Sequence, residues 1–216
     1  MPAHHVIAID GPAASGKSSV ARALAERLRF SYVNSGAMYR AVTWHVLQRG
    51  VSVHEPAAVA AAIEQSRIAC DLIDNQSRIL IDDHDPTPHL RDDDVNRAVS
   101  LVSSVPRVRE ILVAHLRECA NKDNVVMEGR DIGSVVFPET PFKFYIDASP
   151  AVRVQRRLAE GQRDEIAARD RADSSRAASP LVVARDATVI DTSSLTIDGV
   201  VDQIMRRLKE KGLSMI

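Results

Sequence analysis

Gly11-Pro12-Ala13-Ala14-Ser15-Gly16-Lys17-Ser18 is the stretch that decides the fold. It satisfies every fixed position of G-x-x-x-x-G-K-[ST], the phosphate-binding loop. Its flanks agree. The apolar run Val6-Ile7-Ala8-Ile9 reads as a buried strand, and Ser19 to Phe30 has helical periodicity, so the loop joins a strand to a helix. Glycines at 11 and 16 let backbone N–H groups turn inward on phosphate oxygens, and the following helix adds its own free N–H groups. Lys17 then reaches the outer phosphates and Ser18 holds Mg²⁺. The loop calls for a nucleotide without saying what becomes of its phosphate.

Bulk composition narrows the classes. With 216 residues there is room for one sizeable core and an inserted subdomain. Hydrophobic content of 45% and charged content of 26% are ordinary for a globular protein. A formal net charge of −1 gives no global pull toward nucleic acid or an anionic membrane, so neither is expected as a partner. Cys70 and Cys119 lack metal-type spacing and read as small buried thiols in a reducing compartment. The longest apolar stretch, Ala57 to Ile63, is too short to span a bilayer, and a cytoplasmic location is expected. A monomer is expected as well.

Beyond the first helix, Tyr32-Val33 reads as a short strand and Asn34-Ser35-Gly36 as a turn or N-cap cluster. Ala37 to Arg49 and Pro56 to Gln65 read as helices. Ile68 to Leu72 and Arg78 to Ile81 form a hairpin pattern around Asp74-Asn75-Gln76-Ser77, which breaks the βα rhythm and marks an insert. Asp92-Asp93-Asp94 opens helical stretches over Val95 to Val105 and Arg107 to Cys119. The rhythm then resumes: strands at Val125 to Met127, Phe142 to Asp147 and Ala187 to Asp191, with helices at Pro150 to Ala159 and Ile197 to Lys211. Alternation of this kind implies a mostly parallel sheet covered by helices, with ligands at the carboxyl ends of its strands. Gln162 to Pro180, dense in Arg and Asp, reads as a mobile lid rather than a linker.

Four further motifs accompany the loop: Asn34-Ser35-Gly36-Ala37-Met38-Tyr39-Arg40, Pro106-Arg107-Val108-Arg109, Glu128-Gly129-Arg130-Asp131-Ile132-Gly133, and Arg169-Asp170-Arg171-Ala172-Asp173-Ser174-Ser175-Arg176. In this order and spacing the chain resembles the bacterial cytidylate kinases, within the nucleoside-monophosphate kinases. The resemblance implies an α/β P-loop kinase fold: a five-stranded parallel sheet flanked by helices, an inserted monophosphate-binding subdomain and a short lid. It implies one domain over 1–216, with core at about 1–35, 95–150 and 180–216, insert at about 36–94 and lid at about 160–179. The implied reaction moves the γ-phosphoryl of ATP, with Mg²⁺, onto CMP or dCMP.

Residue roles follow from the same resemblance. Gly11, Pro12, Ala13, Ala14, Ser15, Gly16, Lys17, Ser18 and Ser19 bind ATP, with Ser18 on the metal. Arg153 and Arg157, four apart on one helix face, either sit beside ATP or form an exposed basic face. Arg40, Arg130 and Arg176 grip the acceptor phosphate; Ser35 helps position it; Arg169 and Asp173 serve its sugar and phosphate end. Lys17, Arg130, Arg169 and Arg176 form the catalytic set. Ser100, Arg109 and Asp131 read cytosine: an ionised Asp131 accepts from the exocyclic amino group, and Arg109 and Ser100 donate to N3 and O2. Asn34 stands where the family often has Asp. Another monophosphate, or a small hydroxy acid, is the nearest alternative acceptor. A GTP-binding switch needs N-K-x-D, which Asn121-Lys122-Asp123-Asn124 misses at its last position.

Overall fold

A computed structural model describes residues 4–159 and 181–213. In chain order its elements are β1 (Val6–Asp10), α1 (Lys17–Leu28), β2 (Ser31–Asn34), α2 (Ser35–Gln48), α3 (Pro56–Glu64), β3 (Ile68–Ile73), β4 (Gln76–Ile81), α4 (Asp93–Val102), α5 (Pro106–Ala120), β5 (Val125–Gly129), β6 (Lys143–Asp147), α6 (Pro150–Ala159), β7 (Thr188–Asp191) and α7 (Ile197–Glu210). A π-helical turn, Ile132–Val136, follows β5. The described residues fall into two compact units, one from Met1–Val33 with Asp123–Ile216 and one from Asn34–Lys122.

In the first unit the strand order is β2-β5-β1-β6-β7. β1 lies parallel to β5, from Val6 opposite Val125 to Asp10 opposite Gly129, and parallel to β6 on its other side. β6 lies parallel to β7. Buried Ile7, Ile9, Phe144 and Ile146 pack with Leu24 of α1 and Ile204 and Leu208 of α7. Each such side chain contributes about 1.5–3 kcal/mol by leaving water. This is the parallel α/β layer that the sequence pattern implies, and it puts the loop at the carboxyl end of the central strand. Helix α1 starts at Lys17, two residues earlier than its periodicity indicates, because left-handed Gly16 (φ 89°) turns the chain directly into it.

The second unit is built on other rules. Asn34 caps α2 through its Oδ1, which accepts the Ala37 N–H at 3.0 Å. β3 and β4 pair antiparallel around Asp74-Asn75, both with positive φ (51° and 58°), as a tight hairpin turn requires. Asp93 and Asp94 occupy the first turn of α4, and Pro106 opens α5. Met38, Val42, Ile63, Ile81, Leu112 and Leu116 are buried. Cys70 and Cys119 are both buried free thiols, and the Cys70 thiol donates to Cys119 Sγ at 2.9 Å. The expected five strands describe the first unit alone; with the hairpin, the described strands number seven. The hairpin pattern was legible, but its strands belong in the count. No helix among the described residues is long and apolar enough to cross a membrane.

Candidate active site

Gly11 leaves β1 where no other residue fits: a Cβ there would stand 2.1 Å from the Ile146 carbonyl oxygen. Side-chain donors then anchor the loop's carbonyls. Lys17 Nζ donates to Pro12 O at 3.2 Å, and Arg153 donates to Ala13 O at 3.3 Å and to Ala148 O at 3.2 Å. Arg156 donates to Ser15 O at 3.1 Å and to Thr192 Oγ1 at 3.0 Å and Thr192 O at 2.9 Å, while Thr192 Oγ1 donates to Ser15 O at 2.9 Å. Where these bonds reach the loop they engage its carbonyl oxygens, at Pro12, Ala13 and Ser15, and not its N–H groups, which is the polarity an anion cradle needs. Arg153 is 9% exposed, so the exposed basic face is excluded for it. Arg157 is half-buried on the same helix.

Behind the loop, Ser18 Oγ donates to Glu128 Oε2 at 2.8 Å and Tyr32 OH donates to Glu128 Oε1 at 2.7 Å. With its proton directed at Glu128, the Ser18 hydroxyl keeps its lone pairs for a cation. Arg22 lies 4.7 Å from the centroid of the Tyr32 ring. A hydroxyl backed by a carboxylate is a hard-oxygen donor set that fits Mg²⁺, an ion held by one or two protein groups plus substrate phosphates. Among the described residues no cluster of three or more His, Cys, Asp or Glu could form a closed protein cage for a metal.

Asp10, at the end of β1, accepts the Ile132 N–H and the Gly133 N–H, each at 2.8 Å. Burial pushes its carboxyl up to about 6; these two bonds oppose the rise, Asp131 adds to it and Arg130 opposes it. Asp131 is buried and its carbonyl accepts the Val135 and Val136 N–H groups at 2.9 and 3.1 Å. Arg130 is half-buried beside it.

Ser35, Arg40, Ser100 and Arg109 all lie in the second unit. Ser35 is buried in the first turn of α2. Arg40 donates to Leu90 O at 2.9 Å and to Asn96 Oδ1 at 2.6 Å. Arg109, 3% exposed, donates to Ser103 O at 3.1 Å and lies 5.2 Å from the Tyr39 ring centroid. The Ser103 hydroxyl donates to Ser100 O at 3.2 Å, which joins Arg109, Ser103 and Ser100 in one chain of bonds. Arg169, Asp173 and Arg176 lie outside the described residues. The N-K-x-D near miss is used structurally: Lys122 donates to Asp71 at 2.8 Å, Asp123 accepts from Ser31 Oγ at 2.7 Å, and Asn124 accepts from the His5 N–H at 2.7 Å.

A family model described as cytidylate kinase matches residues 7–210. The chain belongs to the cytidylate kinase family. It is 45% identical over 213 residues to the cytidylate kinase of Nocardia farcinica, covering 93% of this chain and 92% of that one. It is 44% identical to that of Rhodococcus jostii, over 95% of each chain, and 41% identical to that of Enterococcus faecalis, over 97% of each. Asp10, Tyr32, Arg156 and Thr192 stand in no site motif of the sequence other than as neighbours, and Glu128 appears there only as part of one. Asp10 directly precedes the loop and Arg156 lies between Arg153 and Arg157, which are the signals that could have drawn attention to them.

Proposed function

We propose that this chain transfers the γ-phosphoryl group of ATP to CMP or dCMP, giving ADP and CDP or dCDP. The match to the cytidylate kinase family over residues 7–210 carries the reading, and the anchored loop supplies the donor side. The acceptor is already an anionic phosphate oxygen, so the chemistry needs no general base; it needs alignment and neutralisation of charge. Residues 11–19 hold the ATP phosphates, with Lys17 on the outer ones and Arg153 and Arg156 fixing the loop from behind. Ser18, backed by Glu128, would hold Mg²⁺, which when bound neutralises phosphate charge.

Acceptor roles rest on family membership. Arg40, Arg130 and Arg176 bind the CMP phosphate, with Ser35 as a positioning group and Arg169 and Asp173 at the sugar and phosphate end. Ser100, Arg109 and Asp131 read cytosine. UMP presents a carbonyl where CMP presents an amino group, so Asp131 would meet an acceptor and UMP is rejected. The monophosphate-binding insert, the lid at about 160–179, a cytoplasmic location and a monomeric state belong to the same proposal.

A coupled assay of ADP release with ATP, Mg²⁺ and a panel of CMP, dCMP, UMP and AMP tests it. The expected order is CMP and dCMP far above UMP and AMP; equal turnover of all four contradicts the reading. Asp131→Ala is expected to lower the CMP-to-UMP ratio of kcat/KM by about a hundredfold or more while ATP still binds.

A further inference from the structure

We propose that Asp10 is a positioning residue for nucleobase discrimination: its carboxylate, bound to the Ile132 and Gly133 N–H groups, fixes the backbone from which Asp131 reads the base. The inference rests on the assignment of Asp131 as the cytosine reader and adds a residue to which no role in that reading belongs.

The geometry is specific. Gly129 is the register partner of Asp10, and the chain leaves β5 immediately after it. Two residues on, Asp131 takes an irregular conformation (φ −146°, ψ 23°) and the π-helical turn begins. The first N–H groups of any helical turn lack partners within the turn. Here Asp10 supplies both partners at 2.8 Å, one carboxylate oxygen to each. The Asp131 carbonyl is bound from the other side by Val135 and Val136. The Asp131–Ile132 peptide is thereby held at both ends, its N–H by Asp10 and its carbonyl by Val135 and Val136, and the next peptide is held through the Gly133 N–H, which limits where the Asp131 side chain can point. Gly133 keeps the contact close: a Cβ there would lie 3.4 Å from Asp10 Oδ2 and 3.1 Å from Lys143 Cγ. Asp10 is also the residue before Gly11, so the donor loop and the base-reading segment start from one anchor.

Charge state matters to this anchor. A neutral carboxyl offers one oxygen as a donor and cannot accept two N–H groups as well as a carboxylate does. The charged groups around it are Asp131 and Arg130 from the segment after β5, and Lys143 of β6, whose stem packs on Gly133 and whose ammonium is held by Asp186 at 2.8 Å. Protonation of Asp10 near pH 6 loosens the turn.

The test is the ratio of kcat/KM for CMP to that for UMP, from pH 5 to pH 8, for the intact enzyme and for Asp10→Asn. Both substrates carry the same phosphate, so its titration cancels in the ratio. The wild-type ratio is expected to fall about tenfold or more below pH 6, and the Asp10→Asn ratio to be low and flat with pH. A wild-type ratio constant with pH overturns the inference without need of any variant. So does an Asp10→Asn enzyme that discriminates as the wild type does. A wild-type enzyme that turns over UMP and CMP equally at every pH defeats the cytosine-reading assignment first, and this inference with it.

Discussion

The phosphate loop and the turn after β5 stand at the ends of neighbouring strands, yet they are held by opposite chemistry. The loop is held by donors: Lys17, Arg153, Arg156 and Thr192 all bond to its carbonyl oxygens. The turn is held by an acceptor, the Asp10 carboxylate on two N–H groups. Peptide dipoles have two ends, and fixing one end decides which remains for a ligand. A loop anchored by its carbonyls offers N–H groups to phosphate. A turn anchored by its N–H groups offers no such cradle; the role proposed there falls to a side chain, that of Asp131. On the proposed roles, two adjacent strand ends serve different parts of one reaction.

Lys17→Ala should break the donor side most completely. It removes the cation proposed to meet the outer phosphates, and kcat measured with ATP and CMP is expected to fall about a thousandfold. A drop of less than tenfold would mean that the loop does not supply the charge neutralisation assigned to it.

Arg156→Leu strips three bonds from the loop and its support. An increase of about tenfold in the KM for ATP is expected, with a melting temperature lower by several degrees as the Ser15 and Thr192 oxygens each lose a donor. The CMP-to-UMP ratio should be unchanged, because the turn has its own anchor. A change in that ratio would erase the distinction between the two regions.

Glu128→Gln tests what stands behind Ser18. It weakens the bond that orients the Ser18 proton, so the Mg²⁺ concentration needed for half-maximal ADP binding, read by calorimetry, should rise severalfold. An unaltered Mg²⁺ dependence would remove Glu128 from the metal side.

The smallest effect concerns stability. The folded-state pKa of Asp10 lies above its ordinary value, about 6 against 3.8. The folded protein therefore binds this proton more tightly than the unfolded chain does. The stability contributed is fully present below the unfolded value and is lost as pH rises through about 6. The melting temperature of Asp10→Asn relative to wild type should accordingly become more favourable from pH 4 to pH 7, by a few degrees. A difference that does not move with pH would contradict the raised pKa.

What could be read from the residue order was whatever is local. The octapeptide, the strand before it, the Asn34 cap, the Asp74-Asn75 turn and the basic α6 each announce themselves within a few residues. The anchors do not. Arg156 meets Ser15, 141 positions away, through a backbone carbonyl that every residue possesses, so no residue type marks the pair. Asp10 meets Gly133 across 123 positions, again through backbone. Side chain to side chain pairs are no easier when distant: Ser18 and Glu128 are 110 apart. The π-helical turn Ile132–Val136 was hidden for another reason, since five residues that include Gly133 and Ser134 are too few and too mixed to show a period. Strand count was missed at β3 and β4 because a broken rhythm signals an insert without saying how its strands are to be counted.

The central claim is that this chain moves the γ-phosphoryl group of ATP onto CMP. ATP labelled in its γ-phosphate, incubated with the enzyme, Mg²⁺ and CMP, tests it most directly. The label should appear in the terminal phosphate of CDP, with one ADP formed for each CDP. Label recovered as inorganic phosphate, or transferred to UMP as readily as to CMP, would contradict it.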